Sequence, residues 1–283
     1  MHSFRQIDDS LFQAPPGYGG HSEGFRRADL IGREQGSVHI GFSISELAPG
    51  GGIDTCVHAY EKGIFITEGE VELNREGKRF RLKKNDYALV PMGTAHAIRN
   101  AGSHPTRWVE KSAPQPKPPG EWEDTFFPPG LDWPVETLAP DPKNPACRMT
   151  GHFDKSQLPP HQRVDEYMWG WSKKMLMDRA FGNQHFNMFI IGFAEDGQTN
   201  EHEHPFEEAY LVIEGEVTFT AEGEEYVLTP GTIAWSGVGS PHGFYLNRGV
   251  SCLWLEIMTP QPPAQNWNRR LSTWDDIRAR LGG

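Results

Sequence analysis

The chain has 283 residues, with 27 Lys and Arg against 38 Asp and Glu, a formal net charge of −11 at pH 7. A surface of that sign does not attract nucleic-acid phosphates or an anionic bilayer, so no nucleic-acid or membrane partner is expected. Gly (31) and Pro (23) are too frequent for a helical bundle, because both disfavour helix interiors, and the class leans to all-β. The three cysteines, Cys56, Cys147 and Cys252, have no paired spacing that reads as a disulfide framework or a zinc knuckle, which fits a reducing, cytoplasmic setting. Residues 1–10 hold no apolar run of the signal-peptide kind, and no apolar stretch approaches the roughly 20 residues of a membrane span.

From the N-terminus, the first strongly patterned region contains an extended segment with Cys56 and His58, then an apolar strand ending at Glu68-Gly69. Val71 and Leu73 follow, alternating with polar residues as in a half-buried strand, and Arg75-Glu76-Gly77 supplies the turn of a hairpin. A further strand with Phe80 and Leu82 and a Gly-containing turn lead to His96. Residues 112–145 then hold ten of the 23 prolines, which blocks helix and central strand and predicts an extended connector. Its Trp122, Phe126, Phe127 and Trp133 predict packing along a barrel surface. Beyond it the pattern starts again. Ile66-Thr-Glu-Gly-Glu-Val-Glu-Leu73 recurs as Val212-Ile-Glu-Gly-Glu-Val-Thr-Phe219, and the offset of 146 holds for Glu76-Gly77 with Glu222-Gly223, Phe80 with Tyr226, Gly93 with Gly239 and His96 with His242. The segment 178–191 is expected to be a separate strand ahead of the histidines, and Ser272 to Asp275 has the spacing of a helix N-cap followed by an acid, predicting a short terminal helix. Two tandem antiparallel barrels or jelly rolls follow from this pattern, divided as 1–111, connector 112–150, and 151–283.

The chemistry concentrates in the second copy. His202 and His204 share a face of an extended strand, Glu208 can return to it across the bend at Pro205, and His242 comes 38 residues after His204. Three imidazoles and a carboxylate suit one divalent transition metal per chain, with Fe(II) or Mn(II) favoured and Ni, Co or Zn compatible, and they leave open positions for substrate or O₂. Tyr210, Val212, Phe244 and Leu246 continue the inward faces of their strands, so Tyr210 and Phe244 are expected beside the metal. Arg179, Gln184 and His185 are candidates for recognising a carboxylate or amide of the substrate. Trp235 and Trp254 read as core or interface aromatics.

Gly197-x4-His202-x-His204-x3-Glu208-x6-Gly215 and Gly231-x5-Gly237-x-Gly239-x2-His242 resemble the two signature motifs of the cupin superfamily, and the duplication resembles a bicupin. The resemblance covers 50–102 and 196–248 and implies a jelly-roll fold with metal ligands at His202, His204, Glu208 and His242. It departs at Gly237, where the motif has Pro (the first copy keeps Pro91), and the spacing from Gly197 to His202 is one residue short. In the first copy Cys56 stands opposite His202 and Lys62 opposite Glu208, while His58 and His96 survive. An ammonium does not ligate and repels a cation, so the first copy is expected to serve packing or dimerisation, with a Cys56/His58/His96 site for a softer metal left open.

These readings point to a metal-dependent oxidoreductase. The expected reaction is oxygen-dependent C–C cleavage of a small hydroxylated or anionic molecule. Alternatives are a Mn-dependent aminohydrolase, by resemblance to ureidoglycine aminohydrolases, and a non-catalytic metabolite-binding cupin. A homodimer is expected, because closed symmetric pairs are common and barrel edges invite pairing.

Overall fold

The computed structural model describes residues 1–118, 120, 123–164, 166–245, 249–262 and 269–281. Trp122 and Leu246 lie outside them. The chain is all-β, with two eleven-stranded sheets that curl into barrels. In the first barrel the strand order is Lys78–Lys83, Glu70–Arg75, His96–Arg99, Gly41–His58, Thr106–Ala113, Glu61–Glu68, Asp86–Val90. The second repeats it with Glu224–Leu228, Val217–Ala221, His242–Tyr245, Asn187–Glu203, Cys252–Thr259, Glu207–Gly215, Thr232–Ser236. Both hairpin turns have the backbone that their Glu-Gly pairs suggest: φ is 53° and 72° at Glu76 and Gly77, and 53° and 89° at Glu222 and Gly223. Two consecutive positive φ values match the right-handed twist of the flanking strands.

Period-two alternation explains why several strands read as continuous apolar runs. In Asn187–Glu203, Phe189, Ile191 and Phe193 fill the interior of the second barrel, while Met188 and Ile190 face outward into a separate cluster. Glu61–Glu68 does the same, with Ile64 and Ile66 inside and Phe65 outside. The outward residues of both barrels form one shared cluster, in which Phe42, Phe65 and Val109 meet Phe186, Met188, Leu211, Trp235 and Leu255. These strands are buried on both faces, one by their own barrel and one by the other.

The contact between barrels is pseudo-symmetric, and the 146 offset relates its parts. The leading strand His2–Gln6 pairs with Thr232–Ser236 of the second barrel, and Thr150–His152 pairs with Asp86–Val90 of the first, so Phe4 opposes Ala234 as Thr150 opposes Ala88. Each half thus completes the other's sheet edge. The edges beside Asp86–Val90 and Thr232–Ser236 are covered by the chain itself. Glu207 accepts hydrogen bonds from the backbone N–H groups of Val38 (2.8 Å), His39 (3.3 Å) and Ile40 (3.1 Å) and from the Ser37 hydroxyl. Glu61 reciprocates toward the amides of Gln184 (2.9 Å) and His185 (2.6 Å). The Gln115 side-chain amide donates to the carbonyls of Ser37 and Ile40, as Gln261 donates to that of Asn183.

The connector carries short strands, Thr125–Phe126 on the long strand Gly41–His58 and Thr137–Leu138 on Lys78–Lys83. Its Trp133 ring lies 4.0 Å from the Arg99 guanidinium, and Phe127 stacks on His21 at 3.9 Å. Segment 178–191 is not a strand of its own. A turn at 178–183 leads into Asn187–Glu203, the same strand that carries His202. A helix spans Trp274–Leu281, and its capping box is one residue later than expected: the Thr273 hydroxyl accepts from the Asp276 amide (3.3 Å) while the Asp276 carboxylate accepts from the Thr273 amide (2.7 Å). Among the described residues no helix is long and apolar enough to cross a membrane.

Gly215, in the repeated Glu-Gly-Glu-Val, has φ 75°, and a Cβ there would sit 1.8 Å from the Ser251 carbonyl oxygen. Gly215→Ala is expected to destabilise by about 2–4 kcal/mol, from left-handed strain plus a clash with backbone. Gly223→Ala, where φ is 89° and nothing lies within 4 Å, is expected to lose only about 1–2 kcal/mol. Urea denaturation of the two variants side by side checks the difference.

Candidate metal centre

The second barrel's long strand ends in His202-Glu-His204, and Pro205, which cannot donate to a ladder, turns the chain into Glu207–Gly215. The two adjacent glutamates then take opposite faces. Glu207 points out to the first barrel, and Glu208 points into the interior, where it meets the histidines. His202 lies opposite His242 in the strand pairing, which brings the third imidazole in.

Each imidazole is held from behind. Nδ1 of His202 donates to the Asn200 carbonyl (2.9 Å), that of His204 to Phe206 (2.8 Å) and that of His242 to Ser240 (2.8 Å). A carbonyl only accepts, so these Nδ1 atoms carry the protons and the Nε2 lone pairs converge. Glu208 Oε2 lies 3.0 Å from His204 Nε2 and 3.2 Å from His242 Nε2. Donor atoms about 2.1–2.2 Å from an octahedral ion, and at right angles about it, are about 3.0–3.1 Å apart. His204 Nε2 is buried and has no hydrogen-bond partner of acceptable geometry. The donor set, its spacing and that orphaned nitrogen fit a divalent transition metal.

The electrostatics agree with a centre built for positive charge. Burial pushes His202 down to about 3, with the neighbouring His242 adding to the effect, so its ring is neutral. Burial also opposes ionisation of Glu208, but the neighbouring His204 and His242 outweigh it and hold the carboxyl well below its ordinary range. His204 is correspondingly raised: burial opposes its protonation and the Glu208 carboxylate overcomes that.

Tyr210 is fully buried and donates its phenol to Glu208 Oε2. Phe244 packs against Tyr210 edge-on, with centroids 4.9 Å apart, and Phe219, Val212 and Trp254 complete the interior below. Arg179 and Gln184 are placed elsewhere. Both are exposed, at the turn 178–184, and the Gln184 backbone is bound to Glu61 of the first barrel. His185 lies beside Glu61 as well. That turn sits at the domain contact because its backbone is what Glu61 caps, so its side chains do not join the centre. Trp235 belongs to the contact between barrels and Trp254 to the barrel interior.

Two interior residues escaped the sequence reading. Glu256 accepts from Trp254 Nε1 (2.9 Å) and hydrogen-bonds Glu208; burial and the Glu208 charge raise it well above the usual carboxylate range, which favours its protonated form behind the ligand. Lys173 Nζ lies 3.7 Å from the Phe189 ring centroid, near the charges of Glu256 and Glu208. The repeat offset would have found both, since Glu110 and Arg27 stand at the equivalent positions of the first copy.

A family model described as the cupin domain matches residues 43–110 and again 189–258, with starting points 146 residues apart. The chain is a two-domain cupin. Quercetin 2,3-dioxygenase of Bacillus subtilis (strain 168) is 37% identical over 81 residues, 28% of this cupin and 23% of the relative. The chain spans 23–66% of the lengths of the curated relatives it matches. Among solved structures, a putative glyoxylate induced protein from Pseudomonas aeruginosa superposes with a TM-score of 0.67 at 18% identity, covering 96% of this chain and 91% of that one. The oxalate decarboxylase–formate complex from Lactobacillus farciminis gives 0.65 at 14%, covering 99% and 93%. Both likenesses are of fold.

In the first domain the equivalent strand ends place Cys56, His58 and His96 together, and Lys62 takes the position of Glu208. The Lys62 ammonium is fully buried and turned to Glu110, 3.0 Å away.

Proposed function

We propose that the second cupin domain is the catalytic half of a metal-dependent enzyme, and that it catalyses oxygen-dependent C–C cleavage in a small hydroxylated or anionic organic molecule. The observation that carries this is the convergence of His202, His204, His242 and Glu208, the proposed ligands, over an aromatic barrel interior. These four residues would hold Fe(II) or Mn(II), which would supply Lewis acidity toward an ionised substrate oxygen and redox chemistry with O₂. The chain's own contribution is preorganisation. Three backbone carbonyls fix the imidazole tautomers, and Glu208 sets the charge of the centre. Tyr210 donates to Glu208 and Glu256 hydrogen-bonds it, and together they hold its orientation. Phe219, Phe244 and Trp254 exclude water, so the ligand charges act in a low-dielectric pocket. The match to a quercetin 2,3-dioxygenase supports this reaction class.

The test is elemental analysis of protein purified without a metal-binding tag, beside His204→Ala, followed by oxygen-electrode assays on flavonols and on hydroxylated and enolisable acids. One equivalent of Fe or Mn that disappears in His204→Ala is expected. O₂ uptake should accompany product formation and fall at least about 100-fold in the variant, the size of effect that loss of an electrostatic catalytic element gives. Product formed without O₂ uptake would move the reading to a decarboxylase or aminohydrolase, and a protein that binds substrate without turnover would make it a binding cupin.

A further inference from the structure

In the first domain Lys62 stands where the second has the proposed ligand Glu208. Its remaining residues are nevertheless arranged as a site. Cys56 Sγ lies 3.7 Å from His58 Nε2 and 3.6 Å from His96 Nε2, and all three groups are at most 2% exposed. Their donor atoms fall within 4.8 Å of one another, as do those of the three histidines in the second domain. A metal about 2.3 Å from a thiolate sulfur and about 2.05 Å from an imidazole nitrogen holds the two about 3.6 Å apart at a tetrahedral angle and about 3.8 Å at a trigonal one. The observed separations fall between these.

The rings are also held as ligands are. His96 Nδ1 donates to the Thr94 carbonyl at 3.1 Å, the counterpart of His242 on Ser240, and His58 Nδ1 meets the Thr125 hydroxyl at 3.0 Å. Thr125 belongs to the connector strand that pairs with His58, so the connector fixes this ring. The obstacle is the ammonium of Lys62. It is committed to Glu110 Oε1, and Glu110 also accepts from the Ser45 hydroxyl at 3.2 Å and lies 3.9 Å from Arg27, itself 2.8 Å from Asp29. Two cations therefore face two carboxylates, and the cluster's formal charge cancels beside the three donors.

We propose that Cys56, His58 and His96 form a second metal site, selective for a thiophilic d¹⁰ cation, Zn(II) or Cu(I). Compared with the second domain, one imidazole becomes a thiolate and the carboxylate becomes an ammonium, so the site is softer and tolerates less added positive charge. Soft thiolate donors select Zn and Cu(I) over the ions that a carboxylate-bearing site takes. The two domains would then hold different metals.

The test is a Co(II) titration of metal-stripped, full-length protein, followed by absorption. A near-ultraviolet thiolate-to-cobalt charge-transfer band is expected, saturating at one equivalent for this site. It should persist in His204→Ala, which disables only the second domain, and vanish in Cys56→Ser, which should keep the visible ligand-field bands of the second domain. Those retained bands report that Cys56→Ser is folded, and His96→Gln gives an independent loss of the thiolate band. Bleaching by one equivalent of Zn(II) or of Cu(I) identifies the preferred ion. If the wild-type protein develops no thiolate band, or Cys56→Ser keeps it, the proposal is wrong and the three groups are only a hydrogen-bonded cluster.

Discussion

Lys62→Met is expected to destabilise the protein by about 3–5 kcal/mol, the effect of breaking a buried ion pair and leaving one charge behind. Glu110 would stay fully buried, with the Ser45 hydroxyl at 3.2 Å and, as its nearby cation, Arg27 at 3.9 Å, already engaged by Asp29. The double variant Lys62→Met/Glu110→Met removes both charges and should return to within about 1–2 kcal/mol of wild type, because hydrophobic replacement of a whole buried pair is often neutral. The pH dependence separates them further. Burial opposes the charge on Glu110, but Lys62 and Arg27 outweigh it and lower its pKa below the ordinary 4.5. Its stabilisation is present above that value and lost as pH falls through the lower folded value. Burial opposes the charge on Lys62, but Glu110 outweighs it and raises its pKa above 10.5, so its share is present below 10.5 and lost as pH rises through the higher folded value. Wild type should therefore lose an increment of stability on acidification below pH 4.5 that the double variant does not lose. Urea denaturation at pH 7 and pH 4 measures both effects, and a single variant as stable as wild type would mean that Arg27 alone satisfies Glu110.

The barrels and the second-domain centre were legible in the sequence because both are local and periodic. Val217 and Phe219 alternate, Glu222-Gly223 turns the hairpin, and His202, His204 and Glu208 are separated by even numbers of residues. The same alternation carried a message that is harder to use. In Glu207-Glu208 and Glu61-Lys62 one residue faces the barrel interior and its neighbour faces the other domain, and nothing local says what lies on the outward side. Gln184 illustrates the failure. Its polarity near the ligand strand suggested a substrate contact, yet its position is set by Glu61, 123 residues away. Lys62 was legible as a lost ligand, but its partner Glu110 comes from a strand distant in sequence, and only that pairing shows how the ammonium is accommodated. Glu110 and Glu256 interrupt apolar runs at equivalent positions, and the repeat offset, applied to charges as well as to histidines, would have exposed both.

Glu207→Ala is expected to lose about 3 kcal/mol or more, since it strips one carboxylate from three backbone amides and a hydroxyl, and each buried donor left unsatisfied costs about 1–3 kcal/mol. Glu61→Ala, which frees two amides, should lose less. The sites are pseudo-symmetric halves of one interface, so once the first loss has loosened it the second should weaken it by less than its own single value. In calorimetry the double variant is expected to unfold in two transitions, one per domain, where wild type shows one. Lys111 supplies a second readout. It is buried in the first domain, its Nζ 5.9 Å from the Phe186 ring across the interface, and burial pushes it down to about 7 although the charges of Glu207 and Glu61 pull it upward. The unfolded chain therefore binds the lysine proton more readily between about pH 7 and 10.5, and this group makes stability rise with pH across that window. Removing Glu207 takes away an upward pull, so in Glu207→Ala the rise should begin at lower pH. A slope unchanged from wild type would mean that Glu207 exerts no field on Lys111. The amide hydrogen bonds alone would then account for how this carboxylate joins the two barrels.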